Sequence, residues 1–332
     1  MVLVTGATGH VGNVLVKSLL QRGEKVKVLV LPNDDMSPLQ GLNVEKVVGD
    51  VRIFEDVKRA LEGVDVVYHL AAIISIGGCK KKLVWDVNVN GVENLLKAVR
   101  HSKVKRVLYM SSVHAFAELK KGSLINEDVP FDPNETTGVY GKSKATAALK
   151  VLNATKNGMD AVIVCPTGII GPYDYKHSEM GTMILRFLYG KLPVGIEGSF
   201  DFVDVRDVVN GAIMACEKGQ KGEVYILSGE RVEMKWMMDE LRKISHKEGP
   251  RRLLKKGTAK FLAHISMMNS MLKNEKAIFT PYSVYTLTRD YTFSHEKATQ
   301  EFGYSPRSIS KTLKDTVNWL VKYYGIEILK AS

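Results

Sequence analysis

Three side chains in this sequence have the types and the spacing of an acid/base centre. Tyr140 and Lys144 lie four residues apart, so on a helix they share one face. A lysine ammonium beside a phenol favours the phenolate, which makes a tyrosine with an ordinary pKa near ~10 usable closer to neutrality. The hydroxyl of Ser112, further upstream, could hydrogen-bond the same substrate oxygen. The alternative interpretation is a solvated tyrosine beside a lysine. The choice between the two depends on the other motifs in the chain.

Apolar strand-like runs alternate with helical runs through the first half of the chain. The predicted strands cover residues 1–5, 25–31, 44–48, 64–70, 106–111 and 161–165. The predicted helices between them cover residues 11–22, 55–61, 83–101 and 139–156. This alternation predicts a parallel sheet covered on both faces, with ligands bound at the carboxyl ends of its strands.

A glycine-rich segment, TGATGHVG at residues 5–12, follows the first strand and opens the first helix. Gly6 permits a tight turn, Gly9 lets the backbone approach a pyrophosphate, and Gly12 allows close packing of helix on sheet. The position of the segment predicts dinucleotide binding. The alternative is a glycine-rich turn without a ligand.

Composition limits the other classes of function. The three cysteines are scattered among 332 residues without a CxxC pair. We therefore expect a reducing compartment, that is the cytoplasm, with no disulfide framework and no metal site. The strand-like start leaves no room for a signal peptide, and no apolar run is long enough for an integral membrane segment.

The net charge of +11 suits an anionic ligand such as a dinucleotide phosphate. It also weakly suits nucleic acid or acidic lipid. We find no aromatic-interleaved basic motif, so we interpret the charge as a solubilising surface and expect no nucleic-acid partner.

The order of the motifs carries a family resemblance. They are TGATGHVG, GDV (49–51), HLAA (69–72), VNVNG (87–91), MSS (110–112), YGKSK (140–144), PTGIIGP (166–172), DFVDVRDV (201–208) and FGYSPR (302–307). Over essentially its whole length the chain resembles extended short-chain dehydrogenases/reductases, in the epimerase/dehydratase and dihydroflavonol-reductase-like branch. The resemblance implies an NAD(P)-dependent enzyme acting on a small molecule, with a homodimer as the expected assembly.

The expected fold class is α/β, a Rossmann-type doubly wound parallel sheet with a smaller mixed α/β C-terminal substrate lobe. We expect the dinucleotide-binding domain at residues 1–165, with residues 201–227 returning to it. Residues 166–200 and 228–332 then form the substrate lobe. The basic, methionine-containing segment 251–288 is interpreted as packing this lobe, with a pocket lining, a lid or a membrane-surface role as alternatives.

By resemblance, the catalytic residues are Ser112, Tyr140 and Lys144. Tyr140 exchanges a proton with the substrate oxygen, Lys144 lowers the pKa of Tyr140 and bonds the nicotinamide ribose, and Ser112 bonds the reacting oxygen. The cofactor-binding residues implied by resemblance are Gly6, Thr8, Gly9, His10, Val11, Gly12, Leu31, Asp50, Val51, Leu70, Ala71, Ala72, Asn88, Tyr140, Lys144, Pro166, Thr167 and Ile169. Among these, Asp50 and Val51 are expected at the adenine, and Pro166 and Thr167 at the nicotinamide.

The choice between NAD and NADP stays open in the sequence. NAD enzymes commonly carry an acid at the end of the second strand, where this chain has Val30. NADP-dependent relatives commonly carry arginine one residue later, where it has Leu31. Asp34 and Asp35 would repel a phosphate if they lay near it, while Asn33 suits either ribose.

Two departures from the family bear on the substrate. Arginines associated with nucleotide-sugar substrates are replaced by Cys165 and Phe200. Their absence favours redox chemistry on a less charged carbonyl or alcohol. The alternatives are nucleotide-sugar epimerisation or dehydration, with Arg186, Arg251 or Arg252 as substitutes, and a regulator that senses NAD(P) without catalysis.

Overall fold

The computed structural model describes residues 1–74, 81–250, 252–263 and 280–327. Its strands are β1 Val2–Thr5, β2 Val26–Val30, β3 Glu45–Val48, β4 Val66–His69, β5 Arg106–Met110, β6 Leu124–Ile125, β7 Ala161–Pro166, β8 Gly168–Ile170, β9 Gly195–Ile196, β10 Ser199–Asp204, β11 Val224–Leu227, β12 Glu230–Glu233, β13 Leu253–Leu254 and β14 Thr292–Phe293. Its helices are α1 His10–Gln21, α2 Phe54–Ala60, α3 Lys81–Trp85, α4 Gly91–Arg100, α5 Gly138–Lys156, α6 Glu179–Leu188, α7 Val205–Lys218, α8 Met234–Ser245, α9 at 256–263, α10 Pro281–Arg289, α11 Glu296–Phe302 and α12 Ile309–Tyr324.

The main sheet is parallel, with seven strands in the order β11-β7-β5-β4-β1-β2-β3. The strand order reverses between β1 and β4, whose carboxyl ends pair directly, Thr5 opposite His69. A reversal of this kind opens a crevice beyond the strand ends, where ligands of such sheets bind. The doubly wound parallel sheet predicted from the sequence is confirmed.

Both faces of the main sheet are buried because its strands carry apolar residues on both sides. In β1, Leu3 packs with α2, α4 and α5, whereas Val2 and Val4 pack with α1, α7 and α11. Successive side chains of a strand point to opposite faces, so β1 contributes to both cores, whereas the edge strand β3 is largely exposed. Burial on both faces is why strands such as β1 and β7 are continuous apolar runs in the sequence.

The second lobe is built on a smaller mixed sheet of β8, β10 and β12, with β10 parallel to β8 and antiparallel to β12. The helices α6, α8 and α12 cover it through an apolar cluster that includes Phe187, Met237 and Leu313. The lobe holds β8 and β10 over the carboxyl end of β7, which is the edge that carries the predicted site.

Residues 201–227 were expected to return to the main sheet. Of their two strands, β10 and β11, only β11 joins it, beside β7. Strand β10 pairs with β8 instead, because β11 already occupies the open edge of β7. Helix α7 between them does pack on the main sheet, so the chain returns there after β10 rather than with it.

The long helix predicted at 83–101 is interrupted. The chain runs from α3 through a π turn, Asp86–Asn90, into α4. Asn88 lies in this π turn and is 1% exposed, so its amide is buried and does not lie on the helix surface. Single π turns of this kind often occur at functional sites.

Only part of the segment 251–288 is described. Its described portions contain β13, α9 and α10, while Met267, Met268 and Met271 lie outside the described residues. In the described ranges, no helix has the length and apolar character needed to cross a membrane.

Candidate active site at the carboxyl edge of the main sheet

The glycine loop closes tightly against the neighbouring strand end. Gly6 has φ +72°, and a Cβ placed on it would lie 2.8 Å from the backbone nitrogen of Ala71. A Cβ on Gly12 would lie 2.1 Å from the carbonyl oxygen of Gly6. Any other residue at either position would therefore open the turn or push α1 away from the sheet.

The start of α1 suits an anionic group. Gly9 is its N-cap residue and provides no side-chain cap, and the first turn contains no acidic residue. The positive end of the helix dipole and its free N–H groups then face the crevice between β1 and β4. Of the neighbouring predicted residues, His10 pairs with the carbonyl oxygen of Pro172 at 3.0 Å, and Val11 is half-buried. The residues present here fit the pyrophosphate of a dinucleotide.

The predicted adenine-side residues lie at the ends of β3 and β4. Both carboxylate oxygens of Asp50 accept hydrogen bonds from Arg52, from its backbone N–H at 2.9 Å and its guanidinium at 2.5 Å. The carboxylate is therefore already engaged by Arg52, and its neighbour Val51 is buried. The half-buried run Leu70, Ala71 and Ala72 borders the crevice.

Ser112, Tyr140 and Lys144 come together below the second lobe. Lys144 Nζ donates to the carbonyl oxygen of Met110 at 2.8 Å, which ties α5 to the end of β5. Ser112 lies close enough to Tyr140 that its hydroxyl lowers the pKa of the phenol. Ser111 instead has a buried hydroxyl with no hydrogen-bond partner. The structure thus brings the second serine, not the first, to the tyrosine.

Burial controls the protonation of this group. It raises the pKa of Tyr140 to about 12, and the nearby Ser112 hydroxyl acts in the opposite direction. Burial also lowers the pKa of Lys144 to about 8. The pKa of Tyr140 therefore lies above its ordinary value, because burial disfavours the charged phenolate.

Two features hold α5 in place at the site. A Cβ on Gly141 would lie 2.8 Å from the carbonyl oxygen of His114, so the glycine in the YGKSK run lets α5 rest on the turn Val113–Ala115. Asn88 donates to Ser143 Oγ at 3.0 Å, and Ser143 Oγ donates to the carbonyl oxygen of Tyr140 at 2.8 Å. Asn88 therefore supports the backbone that carries Tyr140.

An aromatic wall, defined here as His114, Phe200 and Tyr282, faces Tyr140. The His114 and Phe200 rings stack with centroids 5.9 Å apart and an interplanar angle of 9°. The His114 ring lies 6.2 Å from the ring of Tyr140 and 5.7 Å from that of Tyr282. Burial lowers the pKa of His114 to about 4, so this wall is uncharged at neutral pH. Behind it lies a cavity of about 40 Å³.

The predicted nicotinamide-side residues follow β7. Pro166 is buried, Ile169 is half-buried, and Thr167 Oγ1 donates to Asp201 Oδ1 at 2.7 Å. Gly229 N donates to the same oxygen at 2.9 Å. The Thr167 hydroxyl thus holds β10 through Asp201.

The buried carboxyl of Asp201 should make the stability of the protein depend on pH. Burial raises its pKa to about 6, so the folded protein favours the protonated carboxyl. Below a pH of ~4, the pKa of the carboxyl in the unfolded chain, the protonated carboxyl contributes its full amount to the free energy of unfolding. This contribution falls by about 3 kcal/mol as the pH rises through about 6. Asp201→Asn should remove this pH dependence. In urea unfolding between pH 4.5 and 7.5, the free energy of unfolding of the variant should therefore rise relative to that of the wild type. Parallel curves would contradict the assignment.

Sequence reasoning missed several residues at the site. His114 stands two positions after Ser112, and this proximity was the only signal available for it. Tyr282 and Lys176 reach the site from far along the chain, and no local pattern marks them. Lys176 binds Thr8 and Asp34 beside the glycine loop, near the exposed Leu31. Within the described ranges, no cluster of histidine, cysteine and acidic side chains could hold a metal ion.

Comparisons with known proteins place the chain in a family. The family described as "NAD dependent epimerase/dehydratase family" matches residues 2–228. "Sterol demethylase protein B" of Methylococcus capsulatus is 33% identical over 96% of this chain and 97% of its own length. A "Putative dihydroflavonol 4-reductase" of Synechocystis is 30% identical, covering 95% and 93% of the two chains. The crystal structure of gox2253 superposes with a TM-score of 0.85 at 30% identity, covering 98% and 99%.

The chain belongs to the NAD-dependent epimerase/dehydratase family, within the extended short-chain dehydrogenases/reductases. This confirms the resemblance, the fold class and the nicotinamide dinucleotide as cofactor.

Proposed function

We propose that this protein is an NAD(P)-dependent reductase or dehydrogenase acting on an uncharged, largely apolar carbonyl/alcohol substrate. The observation that carries the proposal is the aromatic wall of His114, Phe200 and Tyr282 beside Tyr140. Neutral rings bind apolar and aromatic surfaces well but give a phosphate no ionic partner. The names of two relatives, which refer to a sterol and to a dihydroflavonol, support the same substrate class.

The residues of the site divide the work as follows. A bound nicotinamide supplies or accepts the hydride. Tyr140 gives a proton to the substrate oxygen during reduction or takes one during oxidation, and Ser112 hydrogen-bonds that oxygen. A phenol whose pKa is raised to about 12 holds its proton at neutral pH, which suits donation during reduction. Lys144 places its ammonium under this pair and is available to a ribose hydroxyl.

A direct test is net redox turnover with a panel of substrates. The purified chain should oxidise NADH or NADPH in the presence of cyclic or aromatic ketones, with one alcohol formed per dinucleotide consumed. UDP-sugars should give neither net oxidation nor an epimerised product. Ketone-independent epimerisation of a UDP-sugar would contradict the proposal.

Phe200 should contribute to substrate preference. Phe200→Ala removes the ring stacked on His114, so kcat/KM for an aromatic ketone should fall by roughly tenfold, with a smaller effect on a short aliphatic ketone. Tyr189→Ala is the matched control, because Tyr189 is 48% exposed. Equal losses for both ketones in Phe200→Ala would argue against substrate stacking.

The runner-up function is epimerisation or dehydration of a nucleotide sugar by transient hydride transfer, which uses the same three residues. Cys165 is fully buried in β7, and Phe200 is part of the aromatic wall. Neither position therefore offers the cation that a sugar diphosphate needs. A non-catalytic NAD(P) sensor is the second alternative, and net turnover with any ketone excludes it.

We also propose a homodimer in the cytoplasm, with the substrate as a small molecule and no nucleic-acid partner. Light scattering of the purified chain at micromolar concentration tests the assembly. A monomer mass would contradict it.

A further inference from the structure

A three-membered polar cluster, Thr8, Asp34 and Lys176, joins the glycine loop to the residues after β2. Lys176 Nζ donates to Thr8 Oγ1 at 2.8 Å and to Asp34 Oδ1 at 2.6 Å. Thr8 Oγ1 donates to the other carboxylate oxygen, Asp34 Oδ2, also at 2.6 Å. Each member therefore contacts the other two, and the lysine comes from the loop between β8 and α6.

The cluster occupies a defined place relative to a dinucleotide. In a sheet of this type the residues after the second strand meet the adenosine ribose, where an acid binds the 2′-hydroxyl or a cation binds a 2′-phosphate. Val30 and Leu31 provide neither group, and Leu31 is 49% exposed. The Thr8–Asp34–Lys176 cluster places both an acid and a cation at this point, beside the loop that holds the pyrophosphate.

We propose that Lys176 recognises the 2′-phosphate of NADP and that Asp34 opposes it, so that this pair sets the preference between NADP and NAD. The Lys176 side chain is 37% exposed and that of Asp34 is 18% exposed, so a ligand can reach both. When NADP binds, the phosphate takes the place of the Asp34 carboxylate at the ammonium. When NAD binds, Asp34 keeps Lys176 and offers its carboxylate to the ribose hydroxyls.

Substitution of Lys176 and substitution of Asp34 should therefore change the affinity for NADPH in opposite directions. Lys176→Met removes the cation and leaves Asp34 as an unpaired anion beside the phosphate, so NADPH binding should weaken by about tenfold or more. Asp34→Asn frees Lys176 and removes the competing charge, so NADPH binding should strengthen by roughly threefold or more. In Lys176→Met the NADH affinity should change by less than about twofold, because NADH carries no phosphate at this position.

Fluorescence titration of the full chain with NADH and NADPH, at the same moderate ionic strength, gives the ratio of the two dissociation constants. Lys17→Met is the matched control, because the Lys17 ammonium lies 4.5 Å from the Tyr173 ring centroid and bonds Tyr175 instead of the glycine loop. Thermal unfolding of each variant without dinucleotide separates loss of fold from loss of affinity.

The proposal requires the NADPH/NADH ratio of dissociation constants to rise in Lys176→Met, to fall in Asp34→Asn and to stay constant in Lys17→Met. An unchanged ratio in either of the first two variants overturns it and reduces the cluster to a bridge between the lobes. Binding of neither dinucleotide by the wild type would overturn the cofactor assignment itself. None of these readouts depends on turnover, so the proposal stands or fails separately from the redox function.

Discussion

Tyr140→Phe should lower kcat for ketone reduction by a factor of about 10³, while the dissociation constant of the dinucleotide changes by less than about twofold. The phenol oxygen is the group that passes a proton to the substrate, and general acid catalysis of this kind contributes ~10² to 10⁴. The ring itself packs beside His114 and is kept by phenylalanine, so the fold and the cofactor site should survive. Steady-state kinetics and fluorescence titration measure the two quantities.

Tyr282→Phe is the control that makes this result informative. Tyr282 is a second phenol in the aromatic wall, half-buried, and burial raises its pKa as it does that of Tyr140. If Tyr140 is the acid, Tyr282→Phe should keep most of the turnover. If Tyr282→Phe loses most of its turnover while Tyr140→Phe keeps it, the acid is Tyr282 on α10 and not Tyr140.

Lys144→Met should lower kcat by about 10² and also weaken dinucleotide binding. Lys144 is 3% exposed, and its ammonium lies between the carbonyl oxygen of Met110 and the ring of Tyr109, 5.0 Å from the ring centroid. The substitution removes the ammonium that stabilises a developing phenolate and a hydrogen-bond donor for the ribose. The same kinetic and titration experiments measure both losses.

Lys142→Met is the matched control for that variant, since Lys142 is exposed on the same helix. It should behave as the wild type. If the Lys144→Met protein is folded and has normal turnover, the role of the lysine is only to connect α5 to β5.

The main sheet could be predicted because its determinants are local. Each strand is a short apolar run, and the glycine loop directly follows the first of them. Gly6 and Gly12 are required by contacts within a few residues or with the adjoining strand end, so their spacing already indicates the turn. The alternation of strands and helices then predicts a parallel sheet covered on both faces.

The sheet that β10 joins could not be predicted in this way. Its residues, Ser199–Asp204, form a strand in either sheet, and the choice depends on which edges other strands have taken. The same limit applies to the Thr8–Asp34–Lys176 cluster, since Asp34 and Lys176 are 142 positions apart. Contacts of this kind are properties of the packed lobes, and no local spacing indicates them.

The pKa of Tyr140 shows a different limit. Spacing on a helix places Tyr140 and Lys144 on one face, which correctly predicts that they are neighbours of the same site. It does not reveal how deeply both are buried, and burial moves both pKa values in the direction that disfavours charge. The depth of burial, which dominates the pKa of Tyr140, could not be predicted from the spacing.

Transfer of deuterium from NADH or NADPH labelled at the transferable position tests the central claim most directly. Incubated with an aromatic or cyclic ketone, the wild type should place the deuterium on the carbinol carbon of a released alcohol, one label for each dinucleotide oxidised. Tyr140→Phe should not. No labelled alcohol from any ketone of the panel, together with epimerisation of a UDP-sugar without net oxidation of the dinucleotide, would contradict the proposed function.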